Sequence, residues 1–358
     1  MSIYVTKSFM PPLSEYSDIL KEIWERGVLT NQGPCLQELE RKMKEYLSVP
    51  NFQYLSNGTI ALQLALNALN ITEGEVITTP FSYVATISSI LWERCTPIFV
   101  DIEPNNFTID TNKIRAAITP NTKAIMAVHV FGYACNVDEI DLIAKEYNLK
   151  VIYDGAHAFG AKYKGNSLLS YGDISTVSFH ATKLFHTIEG GACIIRDNDV
   201  SNRLDLAKRF GHNGDIHYQL GINGKTSEFH AAMGLANFPY INSIISARKT
   251  SSEIYDKLLD NLLERPKNQN DLEYNYAYYP VVFKSEEQLL DAFSELNKKD
   301  VYPRRYFYPS LNQLPYLNYK DCKISEDISK RIACLPLYVG LKENEQIIII
   351  ETLKKTIN

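Results

Sequence analysis

Three short segments of this chain combine residue types that could do chemistry together. In SNGTIALQLAL (56–66), Gly58 opens an apolar helical pattern and Thr59 adds a hydroxyl. A glycine there lets backbone N–H groups approach an anion, and the helix dipole favours phosphate at that end. Ser, Asn and Gly ahead of a helix are equally what an ordinary cap uses. In VIYDGAHAFGA (151–161), an apolar strand pattern runs straight into Asp154, with small residues after it. A carboxylate at the end of a buried strand is costly unless it meets a cation or several donors. A protonated pyridine nitrogen would be such a cation, and the carboxylate would keep that ring an electron sink; capping the following turn is the plainer role. His157, three residues on, could bond a ring hydroxyl or be structural. In DISTVSFHATKLFHTIEGGA (173–192), a strand pattern ends in Ser178, Phe179 and His180, and Lys183 lies just beyond. Apolar flanks, with His180, His186 and Glu189 nearby, are unlike a solvated surface helix. A partly desolvated ammonium has a lowered pKa, as Schiff-base formation and proton transfer require. Gly190 and Gly191 allow close backbone approach.

These residues need elements to hold them. Short runs rich in Val and Ile read as strands: EVITTP (75–80), TPIFVDI (96–102), KAIMAVHVFG (123–132), KVIYDGA (150–156), ISTVSFH (174–180) and GACIIR (191–196). The first four begin roughly 20 to 30 residues apart, the spacing of β-α-β units with short loops. Their continuous apolar character suits strands covered by helices on both faces. Gly58 to Leu69 is apolar nearly all round and predicts a buried helix. The expectation is an α/β domain with a mainly parallel sheet over residues 1–238. After Pro239 the texture changes: a long helical pattern (YINSIISARKTSSEIYDKLLDNLLE), strand-like YAYYPVVF, another helix, a Pro- and Tyr-rich loop and a final amphipathic helix. Residues 239–358 thus predict a smaller α/β domain, and 358 residues are long for one core.

Composition narrows the function. The formal net charge is -5, and no Lys/Arg cluster offers a footprint for nucleic acid. Six cysteines are scattered without a C-x-x-C pair, which suits neither a zinc nor a redox site and predicts reduced, buried thiols. MSIYVTKSFMPPLSEY lacks the basic start and apolar core of a signal peptide. No apolar run approaches the roughly 18 residues of a membrane span. A cytoplasmic protein is expected. Two look-alikes are set aside: GINGKT (221–226) has its first Gly two positions too close to GKT for a P-loop, and no G-x-G-x-x-G follows an early strand.

The order and spacing of SNGT, TPFSYVAT, VHVFGY, YDGAHA, SFHATK, EGGA and GINGKTSEFHAAMGL resemble the DegT/DnrJ/EryC1/StrS family of pyridoxal-phosphate (PLP)-dependent sugar aminotransferases. GVLTNQGPCLQELE near the start, and RYFYPSL and CLPLYVGL near the end, extend the resemblance over nearly the whole chain. It implies a type I aminotransferase fold and a homodimer with active sites at the subunit interface. By position, Lys183 would hold the cofactor as a Schiff base and shuttle the proton between cofactor and substrate. Asp154 would bind the pyridine nitrogen and His157 the ring hydroxyl, while Tyr83 would stack on the ring. Gly58, Thr59 and Ser178 would hold the phosphate, with Asn223 supplied by the partner subunit. His180 and Glu189 would lie near the sugar, and Tyr308 would line the sugar-nucleotide cleft. Family members often have Glu-Asp-Ala-Ala where this chain has Tyr153-Asp154-Gly155-Ala156, and Arg where it has Lys225. Relatives that dehydrate carry His in place of the lysine; Lys183 argues against that branch.

The resemblance implies a ping-pong transamination, through the pyridoxamine phosphate form, from an amino acid (L-glutamate) to a nucleotide-linked keto-sugar. The expected substrate is dTDP-4-keto-6-deoxy-D-glucose, giving dTDP-4-amino-4,6-dideoxy-D-glucose for surface polysaccharide such as O-antigen. The alternatives are a 3-keto sugar or a UDP- or GDP-linked one. A non-catalytic sensor or scaffold of the same fold is the rival from another class, disfavoured by the joint presence of Asp154, Lys183 and the phosphate loop.

Overall fold

The computed structural model describes residues 2–259 and 262–357. A seven-stranded sheet forms its centre: β1 (Asn51–Leu55), β2 (Glu75–Thr78), β3 (Thr96–Phe99), β4 (Thr122–Val128), β5 (Lys150–Asp154), β6 (Ile174–Ser178) and β7 (Gly191–Ile195). The lateral order is β1-β7-β6-β5-β4-β2-β3. Pairing is parallel from β6 across to β3, and β7 alone is antiparallel to both its neighbours. This is the type I aminotransferase fold, with its mainly parallel sheet. β1 adds to the six strands expected; only Phe52 and Tyr54 alternate with polar residues there, too short a signal to stand out.

The strands are apolar on both faces because both are covered. On β4, Ala124 and Met126 join the cluster beneath the buried helix Gly58–Ala68, while Ile125 and Ala127 join the opposite cluster with Ile140 and Ile143 of helix Val137–Tyr147. Two-residue periodicity thus places every second side chain in a different core. The expected strand over 123–132 stops at Val128; Val130–Gly132 form a 3-10 turn with Phe131 at φ 55°. The turn leaves the sheet because β4 there meets the end of its pairing with β5, Val128 opposite Asp154.

In the C-terminal part, helices Ile241–Leu259, Glu286–Asn297 and Glu343–Ile357 pack with the antiparallel pair Tyr279–Val282 and Ile332–Leu335. Three details depart from expectation. The helical pattern through Glu264 ends at Leu259 as described; residues 260–261 lie outside the described residues, and Glu264 pairs with Val282 instead. The Pro- and Tyr-rich loop is followed by a short helix, Lys323–Arg331, leading into strand Ile332–Leu335. The N-terminal strand Ile3–Tyr4 pairs with Val301–Tyr302, and Ile3 packs in the C-terminal cluster, though it falls in the 1–238 segment. Helix Ile241–Leu259 starts in one cluster, with Ile241 and Ile244, and ends in the other, with Tyr255 and Leu259. Among the described residues, no helix is long and apolar enough to cross a membrane. All six cysteines are buried and unpaired.

Candidate active site

In a parallel sheet the carboxyl ends of neighbouring strands share one edge, and whatever follows them shares one crevice. Here β5 ends at Asp154, β6 at Ser178 with Lys183 just beyond, β1 leads to Gly58, and Tyr83 lies in the loop after β2. Gly58, Thr59, Tyr83, Asp154, His157, Ser178, His180, Lys183 and Glu189 all line one cavity of about 320 Å³. These nine residues, up to 131 positions apart in sequence, therefore face a common space.

Asp154 forms its buried floor. Oδ2 accepts from Thr86 Oγ1 at 2.7 Å and Oδ1 from the Ala156 amide at 3.1 Å. Burial pushes the carboxyl pKa up, opposed by those two donors and by the positive charge of Lys183. Two neutral donors do not match the hydration lost by a buried carboxylate, so the site favours a further cationic or donating group. His157 is buried, and its Nδ1 accepts from the Phe131 amide at 3.0 Å. Burial and the nearby Lys183 push its pKa well down, leaving a neutral ring whose Nε2 carries the proton and can donate.

The Lys183 amine sits where burial lowers its pKa to about 8, against the pull of Asp154 and Tyr83. Desolvation wins because an ammonium loses its water while the carboxylate is shared with other donors. About a tenth of the amine is therefore neutral at pH 7, far more than for an ordinary lysine, as a nucleophile and proton carrier requires. Its Nζ donates to Tyr278 Oη at 3.3 Å.

The anion cradle is built from backbone. Helix Gly58–Ala68 is capped by Asn57, whose side chain accepts from the Ile60 amide at 2.9 Å. That leaves the Gly58 and Thr59 amides at the positive end of the dipole. Gly58 lies against Ser178, so close that an added Cβ would meet Ser178 Cβ at 3.0 Å. Gly191 does more: its Cβ would fall 2.4 Å from the Asn57 carbonyl carbon. Backbone contact between β7 and the cradle thus holds the turn against the sheet. Cradle, buried carboxylate, neutral histidine and desolvated lysine together fit the phosphate, ring nitrogen, ring hydroxyl and aldehyde of pyridoxal phosphate.

At the cavity mouth, His180 Nε2 faces Glu189 Oε1 at 3.6 Å, and His180 Nδ1 is held by Thr182 Oγ1 at 2.7 Å. Two residues named from the resemblance do not line this cavity, and one of them, Asn223, was expected at the partner subunit's site. Tyr308 is exposed beneath the Arg305 guanidinium, 3.5 Å from its ring centre, and outside the cavity; Arg304, Tyr306 and Phe307 of the same segment line it. Asn223 lies outside it as well, exposed, with Oδ1 accepting from Lys225 Nζ at 3.0 Å. His186 is buried away from the cavity, bonded to the Phe9 carbonyl at 2.6 Å. The sequence reading missed Thr86, Tyr278, Arg304, Tyr306 and Phe307. Thr86 stands three residues past Tyr83, within the TPFSYVAT motif, and could have been found there, as could Tyr306 and Phe307 within RYFYPSL; Tyr278 and Arg304 carry no local signal.

A desolvated lysine, a buried carboxylate and an anion cradle on this fold are the set a pyridoxal-phosphate transferase needs. The chain belongs to the DegT/DnrJ/EryC1/StrS aminotransferase family, whose model matches residues 14–354. It is a sugar aminotransferase, and its cofactor is pyridoxal phosphate. It is 38% identical to a dTDP-4-amino-4,6-dideoxy-D-glucose transaminase of Shigella dysenteriae, covering 99% of this chain and 98% of that one. It is 40% identical to the Escherichia coli transaminase of the same name, over 97% and 96% of the two chains. A GDP-perosamine synthase of Escherichia coli O157:H7 is 33% identical over 97% of each chain. Among solved structures, DesI in the presence of its TDP-sugar product superposes with a TM-score of 0.94 at 27% identity, covering 99% of this chain and 93% of that one.

Proposed function

We propose that this enzyme moves the amino group of L-glutamate to the keto carbon of dTDP-4-keto-6-deoxy-D-glucose, giving dTDP-4-amino-4,6-dideoxy-D-glucose for surface polysaccharide. The observation that carries the reading is the near full-length identity of 38% and 40% with two transaminases of that name. The 33% identity with a GDP-perosamine synthase supports a GDP-linked 4-keto sugar as second reading.

In this reading, Gly58, Thr59 and Ser178 hold the cofactor phosphate, Asp154 the ring nitrogen and His157 the ring hydroxyl, with Tyr83 against the ring. When bound, pyridoxal phosphate supplies the electron sink that lets the proton on the amino-bearing carbon be removed. Lys183 would take that proton; the amino nitrogen would stay with the cofactor while water supplies the oxygen of the departing 2-keto acid, and in the second half-reaction Lys183 would deliver a proton to the sugar carbon. His180 and Glu189, already paired at the mouth, orient the sugar, and Tyr308 lines the outer cleft. The reading includes a homodimer in which Asn223 completes the partner's phosphate site. Exposed Trp92 and Leu220, which line one surface groove, support an apolar patch for such contact. Six unpaired thiols support a reducing, cytoplasmic setting.

The test is a purified, cofactor-loaded enzyme given L-glutamate and, separately, dTDP- and GDP-linked 4-keto-6-deoxy sugars and a 3-keto sugar. Conversion of ketone to amine is followed by mass spectrometry. Preference for the dTDP-4-keto sugar is expected; preference for the GDP sugar or the 3-keto sugar would replace the substrate assignment.

A further inference from the structure

Tyr278 sits beside the lysine amine, and the chain around it is fastened to the cofactor loop from several directions. Among the described residues its Oη makes one hydrogen bond, accepting from Lys183 Nζ at 3.3 Å. Its ring is tilted against His157 at 4.4 Å and edge-on to Phe131 at 5.9 Å and Tyr306 at 5.6 Å. Preceding residues fix it in place. Asn275 Nδ2 donates to the carbonyls of His157 at 2.7 Å and Phe159 at 2.8 Å. Tyr274 Oη lies 3.0 Å from the carbonyls of both Phe131 and Tyr278, with its one hydrogen shared between them. The buried Arg248 guanidinium holds the carbonyls of Tyr276 at 2.9 Å and Ala277 at 2.5 Å. The loop carrying His157 and the segment carrying Tyr278 are thus one hydrogen-bonded unit. This is more fastening than a core tyrosine needs to fill space, and it ends in a single polar atom aimed at the reactive amine.

We propose that Tyr278 is a positioning residue for Lys183, holding the amine by its hydroxyl while the lysine is free of the cofactor and carries the proton. When Nζ takes a proton from carbon, its lone pair becomes an N–H bond and the ammonium has three donors. One donates to Tyr278 Oη, fixing the direction from which the proton is returned. Tyr278 keeps its own proton throughout: burial holds the phenol well above its ordinary range, so it remains a neutral acceptor. The inference rests on the reading of Lys183 as the proton-carrying lysine.

Tyr278→Phe removes one hydroxyl and keeps the ring packing. Lys183 faces Asp154, His157, Tyr83 and Tyr278, with His180, Glu189, Arg304 and Tyr306 on the same cavity wall; only the Tyr278 contact changes. Two readouts are combined. In cofactor-free enzyme, the pH midpoint of trace acetylation of Lys183, read by peptide mass spectrometry, should drop by about one unit, since the ammonium loses an acceptor. In cofactor-loaded enzyme, kcat should fall about tenfold with KM for the nucleotide sugar unchanged, the effect of one hydrogen bond made by the moving amine. Either readout at its wild-type value overturns the proposal. Lys183→Ala separates this from the underlying reading: if that variant keeps the visible band and turnover, the lysine assignment fails, whereas an unaffected Tyr278→Phe beside a dead Lys183→Ala sinks the tyrosine role alone.

Discussion

Thr86 Oγ1 donates to Asp154 Oδ2 at 2.7 Å, and Ser82 Oγ lies 2.7 Å from the same threonine hydroxyl. The carboxylate is therefore oriented by the protein before any ring nitrogen reaches it, because the first turn of helix Ala85–Trp92 is set against the end of β5. Thr86→Val keeps the shape and removes the donor. A hydrogen bond to a charged group contributes roughly 1.5–3 kcal/mol, so cofactor affinity should weaken by about tenfold or more. A fluorescence titration with pyridoxal phosphate would measure it, and unchanged affinity would show the threonine to be a spectator.

Asp154→Asn removes the charge that, in the proposed function, keeps a pyridine nitrogen protonated. We expect kcat to fall by orders of magnitude while the fold, followed by circular dichroism, is retained. Wild-type kcat would reduce Asp154 to a cap of the turn at Ala156.

Lys183→Ala should abolish both turnover and the visible band that covalent attachment gives the cofactor. The change removes the hydrogen bond to Tyr278 Oη but also relieves the desolvation of the amine, so the melting temperature of the cofactor-free protein should stay close to that of the wild type.

The capture of pyridoxal phosphate by cofactor-free enzyme should depend on pH. Burial lowers the Lys183 pKa from 10.5 to about 8, so the nucleophilic neutral amine is scarce below that pH and accumulates above it. The rate of appearance of the visible band should rise through pH 8 and level off above it. A rate still climbing toward the ordinary lysine value would mean the amine is solvated.

Gly191→Ala would place a methyl group 2.4 Å from the Asn57 carbonyl carbon, with backbone rather than a flexible side chain in the way. The cradle must shift from β7. Overpacking of this kind costs about 1–3 kcal/mol, and both the melting temperature and cofactor affinity should drop. An unchanged affinity would show that the Asn57–Gly58 turn is set independently of the strand.

Much of this site was legible because the chemistry follows strand ends. Asp154, Ser178 and Lys183 stand at or just past runs whose apolar character marks them as strands, and consecutive parallel strands must open on one edge. Gly58 and Thr59 were named for the phosphate by the resemblance, since a glycine ahead of an apolar helix serves an ordinary cap as well as an anion cradle. The strands themselves were read from continuous Val/Ile runs, which report burial on both faces without reference to any partner.

Tertiary structure alone decided the rest. Tyr278 lies 95 positions from Lys183, and its strand-like surroundings say that the segment is buried, not what its hydroxyl meets. Within RYFYPSL, only the fold shows that Tyr306 and Phe307 turn inward while Tyr308 lies under Arg305. The pairing of Ile3–Tyr4 with Val301–Tyr302 joins the two ends of the chain, and a two-residue strand has no periodicity to announce it. Patterns along a sequence record how much water each side chain avoids. Which buried group faces which is set by packing between segments far apart in the chain, and that is where Lys183 acquires both its lowered pKa and the hydroxyl it leans on.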